Sequence, residues 1–474
     1  MTTATVALLK GTNMNRTTNT RPALLAAVAL LSLAAGARAD AAAKARRQVP
    51  LREALALAVK QGPDIAAARA QAAVAEAGVK RAYTAWQPDI TASGTFDHTS
   101  APSTFDIGGL AQLLGGIFGF PLTPVQIAKL PPPTTIVDSN SWYGTLQITQ
   151  PFFTPQGLFL PGVAKDGAEA AQRGADEYRE QVLLAVARSY YALQGVEGLI
   201  KAARDLETVS TRREEEAKAQ IKAGTAVELS LLRAQSDTAT ARVQIANLEG
   251  SRESLLPVLE ALTGEAIEPQ TIGADAGLPG PSEASSEPWE NSFAVRSAVA
   301  AVRAQAGAAD LDKWLWLPSV VGIAKGNYNS NAGFSGKKTS YDLIVAASLP
   351  LYDRGTRYAA RTEDEAKLRQ AVANLAKARA GARSAWLGAK ANLAASQATL
   401  AQSEAQASLA ARAQAQVDAS YKAGVATSLD LTDADNKKFT ASSAAAQAKA
   451  SVEVRKAELV AAEGRLYSST AGDK

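Results

Sequence analysis

Few side chains in this sequence are spaced to do chemistry. The one histidine, His98, stands beside Asp97, but no second ligand or nucleophile is placed to join it in a metal or catalytic set. There is no cysteine, which excludes a disulfide framework, a zinc–cysteine site and a lipid-anchored thiol. No phosphate-cradling glycine loop or nucleophile–base arrangement is present, and no paired acids suggest cleavage of cell-wall sugars, so neither an enzyme nor a cofactor is expected. The acidic pair Asp430 and Asp433 is the exception. Three residues apart on a helix they share one face, and copies of the chain around an axis would crowd their carboxylates into one constriction. Crowded carboxylates have raised apparent pKa values and attract cations, so this pair could bind a metal ion without being a dedicated metal site. The competing reading is that Asp430 caps a helix near its positive end.

The elements that must position this pair are read from composition and spacing. Formal net charge is only +4 over 474 residues, with both signs interspersed, so no nucleic-acid footprint is expected. Lys10, Arg16 and Arg21, the apolar run from Ala23 to Ala35, and Ala37-Arg38-Ala39 before Asp40 predict a cleaved secretory signal over residues 1–39. No other stretch has the 18 consecutive apolar residues of a spanning helix, so the mature chain is soluble or crosses a membrane as strands.

The chain repeats one plan. Trp86-Gln87-Pro88 recurs as Trp316-Leu317-Pro318, Gln150-Pro151-Phe152-Phe153 as Leu349-Pro350-Leu351-Tyr352, and Lys222-Ala223-Gly224 as Lys422-Ala423-Gly424. These landmarks divide the sequence into a first repeat over 40–264, a linker over 265–290 with several prolines, and a second repeat over 291–474. Each repeat reads as helix, strand, loop, strand, very long helix, turn, helix. After Pro350 no proline occurs before the Lys422 turn, and the residues between are mostly good helix formers, so a nearly continuous helix about 100 Å long is predicted. Pro151 to Lys222 repeats it. Such helices are too polar for lipid and too long for an ordinary core, so they must pack on one another. Alanines such as Ala371, Ala373, Ala376, Ala378 and Ala380 are the expected close-packed seams.

Strands are predicted at about 88–98, 141–150, 318–328 and 341–349 from period-2 alternation, for example Ile90, Ala92, Gly94 and Phe96 against Thr91, Ser93 and Thr95. Four strands cannot close a barrel, and an open edge in hydrocarbon leaves backbone groups unsatisfied, so several copies would have to share one. The first repeat carries extra residues between its strands. Their glycines, with Pro131-Pro132-Pro133, read as a loop that breaks both helix and strand. That loop is oddly apolar, with Leu110, Leu113, Leu114, Ile117, Phe118 and Phe120, and is expected to fold inward over the barrel mouth or to pack on its neighbour. Gly224 and Gly424 read as left-handed helix C-termini.

With these landmarks the chain resembles the TolC family of outer-membrane efflux and secretion channels over essentially its whole mature length. The most specific segments are Pro350-Leu351-Tyr352-Asp353-Arg354-Gly355-Thr356-Arg357, at the start of the long helix, and Tyr421 to Asp433, at its far turn. The resemblance implies a mixed fold, a two-repeat channel subunit giving four transmembrane strands to a trimeric 12-stranded barrel and very long helices to a periplasmic tunnel. It implies a homotrimer in outer-membrane lipid, working as the passive exit duct of a tripartite efflux or type I secretion system. The partners would be a periplasmic adaptor and an inner-membrane RND or ABC pump. By the same resemblance Lys222, Ala223, Gly224, Lys422, Ala423 and Gly424 lie at the tips that meet the adaptor, with Thr225, Ala226 and Val425 beside them. Asp430 and Asp433 match constricting aspartates and Tyr421 a tyrosine of the closed state, whereas the family's gating arginine falls at Ala426. The reading that competes is a periplasmic coiled-coil spacer whose strands form only a small head.

Overall fold

The computed structural model describes residues 46–120, 122–225, 227–270, 278, 287–314, 316–332 and 336–467. The expected signal segment 1–39 lies outside the described residues, as do 271–277 and 279–286 of the expected linker.

Each half of the chain runs through the same series. In the first, α1 (Leu51–Gln61) and α2 (Pro63–Tyr83) lead into strand β2 (Asp89–His98). Strand β5 (Asn140–Phe153) then feeds α5 (Pro155–Lys222), which turns back as α6 (Glu228–Thr263). In the second half α7 (Phe293–Trp314) leads into β7 (Ser319–Asn329) and β8 (Thr339–Ser348). These feed α8 (Thr356–Lys422), which turns back as α9 (Ser428–Ala462). The long helices α5 and α8 have 68 and 67 residues. At 1.5 Å per residue each is about 100 Å long. None of the described helices is apolar enough to cross a membrane.

Between β2 and β5 the first half carries an arm. It holds a small hairpin of β3 (Ser103–Phe105) and β4 (Thr134–Val137), helix α3 (Ile107–Ile117) and one turn, α4 (Pro124–Ile127). Here the structure departs from the expectation that glycines would prevent regular structure. Asp106 precedes α3 in an extended conformation, and Gly108 and Gly109 lie so close to its carboxylate that added Cβ atoms would stand 3.2 and 2.8 Å from it. The missing side chains let the first turn wrap tightly, and the four large aliphatic residues keep helical spacing.

Strands β2, β5, β7 and β8 form one antiparallel sheet in the order β2-β5-β7-β8. The helices converge on a waist, where β1 (Arg47–Val49) pairs in parallel with β6 (Ile267–Pro269). Leu55, Ile65, Leu183, Val186, Tyr190, Leu193, Leu256, Leu259 and Leu466 are fully buried there. Burying each such side chain contributes roughly 1.5–3 kcal/mol, and this core grips α5 midway between the sheet at its start and the turn at its far end. The Tyr190 hydroxyl donates to the Val49 carbonyl at 2.9 Å and accepts from the Gln270 amide at 3.2 Å, so no polar atom of that ring is left unsatisfied.

Away from the waist α5 packs on α9 through small residues. A Cβ on Gly195 would lie 3.0 Å from that of Ala450, and one on Gly198 3.0 Å from that of Ala446. This is a close glycine–alanine seam between the two hairpins. Ala373, Ala376 and Ala380 of α8 are exposed, with Ala371 and Ala378 half-buried, because α8 forms an outer edge of the helical slab.

Candidate functional site

Register gives the sheet two chemically distinct faces. Residues directly opposed across antiparallel strands share a face. Ile90 stands opposite Ile148, which stands opposite Ala324 and then Leu343. Ala92, Leu146, Gly326 and Tyr341 form the next row, and Phe96 meets Trp142 with ring centroids 4.8 Å apart. The rows across the middle of this face are apolar or aromatic, with polar residues toward its two ends, Gln150 at one and Thr339, His98 and Asn140 at the other, and Ile90, Trp142, Tyr341, Leu343 and Val345 are exposed. On the other face Thr91 meets Gln147, Ser93 meets Thr145, and Lys325 meets Asp342. There Asn327 donates to Asp342 at 3.0 Å and Thr145 to Asn327 at 3.3 Å. One face suits hydrocarbon; the other suits water over these rows and turns apolar nearer the helices, where Ile323 meets Ile344 and Val321 meets Ala346.

Two junctions carry the sheet into the long helices. At the first, Trp86 Nε1 donates to the Gly157 carbonyl at 2.6 Å, Gln150 donates to the Trp86 carbonyl at 3.0 Å, and the Thr154 hydroxyl caps α5 by accepting from the Gly157 amide at 3.2 Å. At the second, Arg357 donates to Asp353 at 2.9 Å and to the Pro350 carbonyl at 2.8 Å, while its guanidinium lies 4.2 Å from the Trp316 ring. The repeated tryptophans thus brace equivalent corners by different chemistry.

The far ends of α5 and α8 close alike. The amide of Thr225 bonds the carbonyl of Gln220 and that of Gly224 bonds Ile221; Val425 bonds Ser420 and Gly424 bonds Tyr421 in the same pattern. Gly224 and Gly424 have φ of 74° and 76°, the left-handed geometry that pattern needs. Lys222, Ala223, Thr225, Lys422, Ala423 and Val425 are exposed around them, and Ala226 lies outside the described residues. Lys422 bonds Asp418 at 2.7 Å, which holds that carboxylate below its ordinary range.

A profile of the outer membrane efflux protein family matches residues 54–265 and 285–465, well over half of the sequence. The chain belongs to the outer membrane efflux protein family. It is therefore an outer-membrane efflux channel subunit, with its sheet in that membrane and its long helices in the periplasm. Solved channels share the fold of this efflux protein. The CmeC outer membrane channel of Campylobacter jejuni is similar with a TM-score of 0.70 and 14% identity, covering 87% of this chain and 85% of its own. VceC of Vibrio cholerae gives 0.66 and 17%, covering 87% and 96%, and the open-state MtrE channel of Neisseria gonorrhoeae gives 0.67 and 17%, covering 87% and 88%. No characterised protein matches in a comparison of sequence alone.

In this efflux protein Asp430 and Asp433 border one open groove between α8 and α9, with Leu409, Ala413, Val417 and Asn436. Within a single chain Asp430 is a capping residue. Its carboxylate accepts from the Thr427 hydroxyl at 2.6 Å and amide at 2.9 Å, and these bonds hold it below the usual carboxylate range. The expected upward shift from crowding is thus not a property of one chain. Asp433 is paired with Lys437 at 2.6 Å. Tyr421 is not brought to that groove. It lines a separate cavity of about 230 Å³ facing α5 and α6, with Arg213, Arg233, Asp237 and Thr432.

That side of the tip holds the residues sequence reasoning missed. Arg213 of α5 forms an ion pair with Asp435 of α9, which is only 5% exposed, and Thr432 donates to Asp237 of α6 at 3.0 Å. Burial pushes Asp435 above the ordinary carboxylate range even beside Arg213. The sequence signal was slight: Asp435 lies two residues beyond Asp433, on the helix side turned toward the other hairpin.

Proposed function

We propose that three copies of this chain close a 12-stranded barrel and a helical tunnel, forming the passive exit duct of an efflux or type I secretion system. The observation that carries this reading is the four-stranded sheet with an apolar outer face and unpaired edges at β2 and β8. In hydrocarbon an edge cannot stay open, so β8 of one copy pairs with β2 of the next until the ring closes. Exposed apolar residues on both lateral helices, Leu232 and Val243 on α6 and Val372 and Leu409 on α8, support the same side-by-side association.

The exposed, paired glycine turns at 222–224 and 422–424 are the part of each subunit farthest from the barrel along the helices. They are the docking points for a periplasmic adaptor that links the duct to an inner-membrane RND or ABC pump. Asp430 and Asp433, on one face near that end, ring the entrance and favour cations, while Tyr421 holds the tip against the neighbouring hairpin.

The test is single-channel conductance in a planar bilayer, wild type against Asp430→Asn plus Asp433→Asn. Asparagine keeps a side-chain acceptor at the Asp430 cap while removing charge. Cation-selective currents that lose selectivity in the double variant support the duct and its acidic entrance. Well-folded protein that gives no channel and behaves as an elongated monomer sinks it and leaves the periplasmic spacer.

A further inference from the structure

The arm between β2 and β5 has an apolar surface that nothing in its own chain covers. Leu110, Leu113, Leu114 and Ile117 of α3 follow the i, i+3, i+4, i+7 spacing of one helical face, and all four are exposed, from 42% to 67%. The opposite side of α3 consists of glycines, Ala111 and Gln112. There Gly115 packs so closely on the loop that a Cβ would lie 2.7 Å from the Phe120 carbonyl. The glycine side is therefore turned to its own loop and the aliphatic side outward. Phe118 and Phe120 extend the patch at 70% and 79% exposure.

The foot of this arm is fixed. Asn331, in the turn between β7 and β8, accepts from the Asp138 amide at 3.0 Å and donates to Ser141 at 2.6 Å, and Ser330 accepts from the Trp142 amide at 2.9 Å. The arm rises where β2 ends and β5 begins, and β2 is the open edge facing the next copy, so the patch continues the seam between subunits.

Two occupants suit an apolar helix face. A helix lying on a membrane surface carries Lys or Arg on its polar side. Between Thr99 and Val137 the only charges are Asp106 and Lys129, and α3 has none. A stripe without charge fits another apolar helix, and rotation brings identical stripes around one mouth without like-charge repulsion.

Building on the trimeric reading above, we propose that the α3 stripes of the three copies pack against one another and form an apolar plug over the outward mouth of the barrel.

Because the chain has no cysteine, Ile117→Cys introduces a single thiol. Mild oxidation of the full-length protein in detergent is expected to give disulfide-linked pairs far faster than for Lys129→Cys on the same loop. Leu113→Asp plus Ile117→Asp is expected to raise single-channel conductance while the trimer persists. A trimer, established by its mass, in which the thiol of Ile117→Cys stays unpaired or links no faster than that of Lys129→Cys overturns the plug alone. So does quenching by spin-labelled lipid of a fluorophore attached to the Ile117→Cys thiol. Protein that forms no trimer overturns the parent reading and the plug together.

Discussion

The indole N–H of Trp86 reaches a carbonyl that Pro161 leaves without a partner. In a regular helix the Gly157 carbonyl would accept from the amide of residue 161, but that residue is proline, inside α5, and has no N–H. Trp86 Nε1 supplies the missing donor at 2.6 Å from 71 residues earlier in the chain. The junction between barrel and tunnel is thus completed by a side chain from the turn that leads into its first strand.

This predicts non-additive substitutions. Trp86→Phe loses the bond and strands the carbonyl, a cost of about 1–2 kcal/mol beyond lost packing. With Pro161→Ala the backbone amide restored at that position can take over, so Trp86→Phe costs distinctly less. Thermal melts of the four proteins, followed by helix circular dichroism, give the coupling, and additive shifts would disprove the link.

The tip turns give a second prediction. Nothing lies within 4 Å of a Cβ built on Gly424, so replacement there meets no clash and its cost is conformational. Gly424→Ala should destabilise by about 1 kcal/mol, and Gly424→Asn by less, because asparagine tolerates the left-handed region. Equal loss for both in melts would reject the left-handed geometry of Gly424 as the cause of the cost.

Much of this architecture is legible in the sequence, and the exceptions share a cause. The Trp86 and Trp316 repeats, the proline-free stretch after Pro350, the alternation from Ile90 to Phe96 and the Lys-Ala-Gly turns are local patterns, so the helices, strands and tips can be read from them. Arg213 and Asp435 are 222 residues apart, and their pairing requires knowing that α5 and α9 lie side by side. The close seam of Gly195 with Ala450 was missed for the same reason, alanines being abundant along every long helix. Helix α3 was hidden by its glycines, whose role is to let the loop approach one face.

Glu180 predicts a pH dependence. It is 6% exposed, and its carboxylate accepts from the Leu466 and Tyr467 amides at 2.8 and 3.1 Å, tying the segment that follows α9 to α5. Burial outweighs those bonds and Arg179 and raises its pKa from 4.5 to about 7. The folded protein therefore keeps a proton that the unfolded chain releases above pH 4.5. Stability contributed by this group is fully present below pH 4.5, falls as pH rises to about 7 and is then flat. The total is on the order of 3 kcal/mol. Melting midpoints from about pH 4.5 to 8 should decline over this window in wild type and lose that component in Glu180→Gln; identical profiles would reject the assignment.

The Arg213–Asp435 pair ties the two hairpins near the entrance, and its burial decides what substitution does. Removing one partner leaves a charge in a site that cannot solvate it, at a cost of about 3–5 kcal/mol, whereas replacing both by apolar residues of similar volume is close to neutral. Arg213→Ala should therefore lower the melting midpoint strongly, and Arg213→Met with Asp435→Leu should restore it. Restored stability need not restore the tie, because an apolar contact lacks the direction of an ion pair. If the pair also sets how tightly α9 is held to α5 at the entrance, single-channel conductance in the double variant will exceed wild type although its melt does not. A conductance that simply tracks stability across all variants would confine this pair to folding.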